Sequence, residues 1–516
     1  MRIQPGINPW ATSERTHRHR WLLSVLLAGF AMLLFTPVAH AADRIYWSNY
    51  ETDEIAWANL DGSGTGGTVD TTGATVDGPM GLTVDPSRGL IYWANWAANT
   101  GTTISYAHLD GSGAGDLAIT GATIDAPHGL AIDPAAGPYG TLYWPNHTTN
   151  SIGWAELDGA GGGAGADLTI TNATVDEPRG MMIDPVTDRL YWSNFGAAVG
   201  TTISYAELDG SGDGDVIDIA PLGEGPEGTA IDPASRKIYW SDFGQKHLIQ
   251  FANLDGTGVS ALSTAGATTK GVHGIAIDPE TRRVYWPNWY SDGISYANLD
   301  GSGGANLNVS GTTISRPNLP VILKEPAATA APTVSGGSDP GANLSCSPGN
   351  WSGDVLEALA YRAPQSLSYR WTRDGADLPG ADSSAITATN PGAYRCLVTA
   401  TNAAGSTTVT STAHQIGSRP APTLTATNPA SPSTADRPKV IGTSPASGTG
   451  YRIKLYVNDA DCSGAPAAES NVATFQGKGV AVGPLAVGTS QIRATLTDPL
   501  GNVSACSAPL SYTRLG

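Results

Sequence analysis

Two histidines and a glutamate occupy the same place in three copies of a repeated phrase: Pro127-His128-Gly129, Pro226-Glu227-Gly228 and Val272-His273-Gly274. Three further copies put Met80, Arg179 and Asn318 there. Imidazole nitrogens and carboxylate oxygens are ligands for divalent metals, and a glutamate beside them can act as a base. If His128, His273, Glu227 and Asn318 converged on a metal, the chemistry would be that of a metal-dependent lyase or lactonase. Glu227 is the one clear carboxylate base in this set. A second set falls four residues after a recurring tyrosine: Tyr50, Trp96, His147, Phe195, Phe243 and Trp289. Polar residues that vary from copy to copy, inside a ring of aromatics, also suit recognition of a protein or glycan. Binding is the main expectation, without catalytic residue, metal or cofactor. The enzyme is the alternative.

A repeat must bring these residues together. Tyr-Trp occurs at Tyr46, Tyr92, Tyr143, Tyr191, Tyr239 and Tyr285, at intervals of 46, 51, 48, 48 and 46 residues. Such periods mark solenoids or propellers, and four short strands per unit point to a propeller. In the unit beginning at Pro127, an apolar strand stops at Asp133-Pro134, and Gly140–Trp144 forms the second strand. Ile152–Leu157 alternates as the third and ends at Asp158-Gly159, and a fourth lies near Leu168-Thr169-Ile170. Adjacent Tyr and Trp point to opposite faces of a strand, so both faces must be covered, as they are in a blade between two neighbours. The third strand repeats an aromatic at Trp57, Tyr106, Trp154, Tyr205, Phe251 and Tyr296. The loops before each first strand and after each second strand open on one face. The first set therefore lies near the axis, with the aromatic set around it.

The first unit begins at its second strand, Arg44-Ile45-Tyr46-Trp47. After the sixth unit, Arg316–Leu323 has the pattern of the missing first strand. Pairing of this segment into the first blade would close the ring and remove free edges. The expected fold is all-β: a six-bladed β-propeller over residues 43–326, closed by a C-terminal strand, followed by two β-sandwiches.

The phrases Tyr46-Trp47-Ser48-Asn49, Tyr92-Trp93-Ala94-Asn95, Tyr143-Trp144-Pro145-Asn146, Tyr191-Trp192-Ser193-Asn194, Tyr239-Trp240-Ser241-Asp242 and Tyr285-Trp286-Pro287-Asn288 are each followed downstream by Leu-Asp-Gly. They resemble the YWTD repeats of the low-density lipoprotein receptor class B family, whose members form six-bladed propellers. The resemblance covers residues 43–326. Only Asp242 keeps the family's acid; elsewhere Asn replaces it.

Beyond the small-residue linker Pro326–Pro332, Cys346, Trp371 and Cys396 follow the immunoglobulin order, with Tyr394 two residues before the second cysteine. Residues 331–417 therefore resemble an immunoglobulin-like domain, and residues 420–516 a bacterial immunoglobulin-like repeat containing Cys462 and Cys506. One disulfide is expected in each. These modules are expected to act as spacers.

Residues 1–41 read as a signal peptide: a basic stretch to Arg20, an apolar run from Trp21, and Ala39-His40-Ala41 as the cleavage pattern. The formal charge is −18, and removing those residues, which carry +3, leaves −21. An acidic surface repels phosphate backbones, which argues against nucleic acid as a partner. The expectation is a secreted or cell-surface monomer, with no membrane insertion after cleavage. Asp209-Gly210-Ser211-Gly212-Asp213-Gly214-Asp215 has the spacing of a calcium loop but puts Ala220 where an EF-hand needs Glu, so it reads as a turn.

Overall fold

Each Tyr-Trp pair lies on a strand buried on both sides. These strands are Arg44–Asn49, Leu90–Asn95, Thr141–Asn146, Arg189–Asn194, Lys237–Asp242 and Arg283–Asn288, and all six tryptophans are fully buried. The computed structural model describes residues 43–196, 202–218, 225–244 and 246–516. The expected signal segment lies outside the described residues. Within residues 44–323 the described strands form six sheets that follow one another along the chain and share one continuous core, antiparallel except where Ala118–Thr120 pairs in parallel with the outer strand of the third. The second sheet is representative, with strands Pro79–Asp85, Leu90–Asn95, Thr103–His108 and Ala114–Asp116 in that order. The chain is nearly all β, and this part of it is a β-propeller.

Asparagine in the repeated phrase has a definite task. Asn95, Asn194 and Asn288 each accept a backbone N–H from the loop before their sheet, at 2.9–3.0 Å. Each also donates its amide, at 2.8 Å, to a serine on the third strand: Ser105, Ser204 and Ser295 respectively. An ionised aspartate could only accept, so the amide ties loop and third strand together without burying a charge. The neighbouring tryptophans add a further bond to the same loops, as from Trp93 Nε1 to the Thr75 carbonyl at 2.9 Å.

Pro317–Leu323 pairs antiparallel with Arg44–Asn49, placing Arg44 opposite Leu323 and Tyr46 opposite Val321. The first sheet thus takes its inner strand from the far end of the repeat region. Lys324, just beyond it, is buried with its Nζ 2.8 Å from Asp43 and 3.0 Å from Asp278.

The segment after the propeller differs from a free linker. Ala328–Ala330 is already a strand, paired with Asn350–Trp351. Farther on, Ala360–Tyr361 pairs in parallel with Ile322 and Leu323. Leu356, Ala358, Leu359, Ala360 and Tyr361 are buried in the propeller core, and Tyr361 Oη is 2.7 Å from Thr83 Oγ1. Burial of this apolar run outweighs its reach across sequence. It plugs the axial end where the inner strands finish.

Two further bodies each contain one disulfide. Cys346–Cys396 packs with the fully buried Trp371, while the Tyr394 hydroxyl donates to the Asn390 carbonyl at 2.9 Å. Cys462–Cys506 belongs to the second body, which has its own core around Ile453, Leu455 and Phe475. Among the described residues, no helix is long and apolar enough to cross a membrane.

Candidate functional site

The repeated phrase, Pro-x-Gly in four copies and Val272-His273-Gly274 and Pro317-Asn318-Leu319 in the other two, makes a bulge at the start of each inner strand. Between Pro178 and Met181 the strand spans three steps, while its partner covers two, from Asn194 to Trp192. The same extra residue occurs at Pro79–Leu82 and Pro226–Thr229, and in Pro317–Leu323 between Asn318 and Val321. For His128 and His273, bridges at Pro127 and Val272 precede the regular pairing and leave the same surplus. A bulge bends a strand and re-aims its side chain. Here it presents six residues from six sheets near one axis.

Glycine after the candidate residue lets the inner strands approach. A Cβ on Gly180 would lie 2.2 Å from the Glu227 carbonyl oxygen, and one on Gly228 would lie 2.5 Å from Gly274 Cα. Ser193 Oγ accepts from the Gly180 N–H at 3.0 Å and donates to the Glu227 carbonyl at 2.8 Å. This serine belongs to the fourth sheet and fixes the backbone of the fifth.

Three of the six axial side chains converge. His128 Nε2 and His273 Nε2 each lie 3.3 Å from Glu227 Oε1, and all three ligand atoms lie within 4.8 Å of one another. Arg179 Nη1 lies 2.6 Å from the other carboxylate oxygen, Oε2. The histidine rings stack with centroids 5.8 Å apart. His128, Glu227 and His273 are buried, at 0–2% exposure. Glu227 Oε1 and both histidine Nδ1 atoms have no hydrogen-bond partner. Asn318 is also buried, but its amide is drawn to the carbonyls of Arg316, at 3.2 Å, and Pro79, at 3.4 Å. Met80 is buried, with its carbonyl accepting from Ser48 Oγ.

Burial controls the protonation of the cluster. It pushes the Glu227 carboxyl up to about 7, against the pull of Arg179. Burial, followed by the Arg179 charge, holds both His128 and His273 well below the ordinary imidazole value. His147, beside them, is lowered to about 4 for the same reasons. The histidines are therefore neutral, with lone pairs available at neutral pH.

The aromatic set forms a collar around this cluster. Ring centroids are 5.9 Å apart for Tyr50–Trp96, 6.2 Å for Trp96–His147, 6.4 Å for Phe195–Phe243, 6.1 Å for Phe243–Trp289 and 5.1 Å for Trp289–Tyr50. Trp289 stacks on His273 at 4.9 Å, and Phe243 meets the same ring edge-on at 4.8 Å. The Arg179 guanidinium lies 3.4 Å from the centroid of Phe195. Tyr290 extends the collar: it is 62% exposed and stacks on Phe243 at 5.6 Å. Sequence reasoning missed it, although it directly follows Trp289. A cleft of about 360 Å³ lies elsewhere, lined by Arg88, Tyr106, His108 and Tyr139 among others, and none of the axial or collar residues borders it.

The segment from Asp209 to Asp215, read from the sequence as a turn, is a set of turns and braces. Asp209 accepts from the Ser211 N–H at 2.8 Å, and Asp215 accepts from the Thr174 N–H and hydroxyl, both at 2.8 Å. Asp213 accepts the backbone N–H groups of Thr171, Asn172 and Ala173.

Fold and site together define the class as β-propeller. No family model matches the chain. Over 168 residues it is 30% identical to protein cueball of Drosophila erecta, a match that covers 33% of this chain and 18% of that protein. The chain thus spans less than a fifth of that relative's length. Among solved structures, it is similar to a chain of a nidogen/laminin complex, with 17% identity, a TM-score of 0.43, and coverage of 55% of this chain and 98% of that one. It is also similar to a gluconolactonase from Xanthomonas campestris, with 13% identity, a TM-score of 0.36, and coverage of 52% and 82%.

Proposed function

We propose that this protein is a secreted or cell-surface binding protein. Its six sheets are read as the blades of a YWTD-type propeller, closed by Pro317–Leu323, and its two disulfide-bearing bodies as immunoglobulin-like sandwiches. The observation that carries the reading is the difference between the two axial faces. One is filled by Leu356–Tyr361, so the first C-terminal body is joined to the propeller there. The other retains a collar of half-buried aromatics, Tyr50, Trp96, Phe195, Phe243 and Trp289, around polar groups. Aromatic rings held rigidly by mutual packing bind a protein or glycan with little loss of conformational entropy. The second C-terminal body serves as the spacer, the protein acts as a monomer, and its acidic surface disfavours nucleic acid.

The alternative, a metal-dependent lyase or lactonase, draws support from the meeting of His128, Glu227 and His273. It is the weaker reading because Glu227, the carboxylate expected to act as a base, is held by Arg179 and sealed from solvent. The test is to screen glycans and extracellular proteins with the full chain and with Trp96→Ala/Trp289→Ala. Binding by the parent that disappears in a folded double variant supports the proposal. Equal binding by both rejects the collar.

A further inference from the structure

We infer that His128, Glu227 and His273 form a site for one divalent transition-metal ion of the zinc type on the propeller axis. This inference stands independently of what the collar binds.

The donor spacing is the first argument. Both imidazole Nε2 atoms lie 3.3 Å from Glu227 Oε1. A tetrahedral ion with bonds of about 2.0–2.1 Å separates its ligands by about 3.3–3.4 Å. These donors come from three different sheets, so local turn chemistry does not account for their meeting.

The second argument is an unspent acceptor. Glu227 Oε1 is buried and has no hydrogen-bond partner, although two ring nitrogens stand at 3.3 Å. An ordinary hydrogen-bonded network would align those rings to donate. Here two nitrogens and one oxygen lie within 4.8 Å of one another without such a bond. Buried polar atoms left in this state call for an ion or another partner.

The surroundings also hold the ligands in place. Arg179 engages Oε2 and packs on Phe195, which leaves Oε1 facing the imidazoles. Trp289 and Phe243 fix the His273 ring, while Trp96 lies edge-on to His128 with centroids 6.1 Å apart. Two nitrogens and one oxygen suit zinc or a similar transition metal, whereas calcium and magnesium prefer all-oxygen sets. Glu227 and Arg179 cancel in charge, so a divalent ion would remain uncompensated. Its fourth position would therefore take an anionic oxygen ligand, such as hydroxide or a carboxylate.

The test uses the full untagged chain, stripped with chelator, then loaded with zinc or cobalt(II) and desalted. The expected result is one equivalent of metal per chain, and a cobalt form with the intense visible absorption of a tetrahedral centre. His128→Ala/His273→Ala should weaken zinc binding at least about 100-fold. Substoichiometric metal in the parent, or undiminished zinc retention by the double variant, would overturn the inference. If that variant does not fold, the parent's cobalt spectrum decides: weak octahedral absorption, or none, refutes the site.

Discussion

Arg179 Nη1 lies 2.6 Å from Glu227 Oε2, joining side chains that start on adjacent sheets. Glu227 is fully buried, so its charge depends on this one cation. Removing one member of a buried pair costs about 3–5 kcal/mol, because the other is left uncompensated. Arg179→Met should lower the free energy of urea unfolding by that order, and Arg179→Met/Glu227→Leu by clearly less. Equal losses in the two variants would contradict an energetically coupled pair.

The histidines give the metal-free protein a specific pH signature. Their folded pKa values lie well below the ordinary 6.5. Below pH 6.5 the unfolded chain takes up protons there that the folded chain refuses, so stability is lost as pH falls through that value. Glu227 acts with the opposite sign. Its folded value of about 7 exceeds the ordinary 4.5, so its contribution is present below 4.5 and lost as pH rises through 7. Comparing the parent with His128→Gln/His273→Gln in chelator isolates the histidine part. The parent's stability relative to the variant should decline from pH 6.5 downward in chemical denaturation. A pH-independent difference would show that the rings titrate normally.

Close approach at the axis gives a backbone test. A methyl at position 180 would press on the Glu227 carbonyl, so Gly180→Ala must displace an inner strand. Overpacking of this kind costs about 1–3 kcal/mol. Gly113→Ala meets no atom within 4 Å and should change stability by less than about 0.5 kcal/mol. Thermal melting of the two variants checks the contrast.

The plug predicts cooperation between the propeller and the first disulfide-bearing body. Tyr361→Phe removes the contact with Thr83 and should cost about 1 kcal/mol. Tyr361→Ala also empties a fully buried site and should cost about 3–5 kcal/mol. Calorimetry should then resolve the two bodies as separate transitions. A single unchanged transition would mean that the plug does not couple them.

Much of this architecture was legible in the spacing of Tyr-Trp, because a strand covered on both faces demands adjacent large side chains. The repeated phrase, Pro-x-Gly in four of its six copies, likewise pointed to the axial positions, since the bulge and the close approach both depend on local residue type. Which axial side chains meet was not legible. Arg179 is long enough to grip Glu227, while Asn318 is drawn to nearby carbonyls, and that outcome depends on reach and packing. The repeated phrase told only that Asn stands where the YWTD repeat has an acid, and the bonds by which its amide joins loop to strand were not legible in it. The run Leu356–Tyr361 looked like part of a sandwich because its partners lie in another region of the sequence.

The first sheet is woven from residues 44–68, 317–323 and 360–361. A chain made from its N-terminus forward can form its intermediate sheets early, yet Arg44–Asn49 must wait for a strand synthesised much later. Until then it offers an unpaired edge to any passing β-segment. Assembly of this protein is therefore exposed to mispairing along Arg44–Asn49 until Pro317–Leu323 arrives.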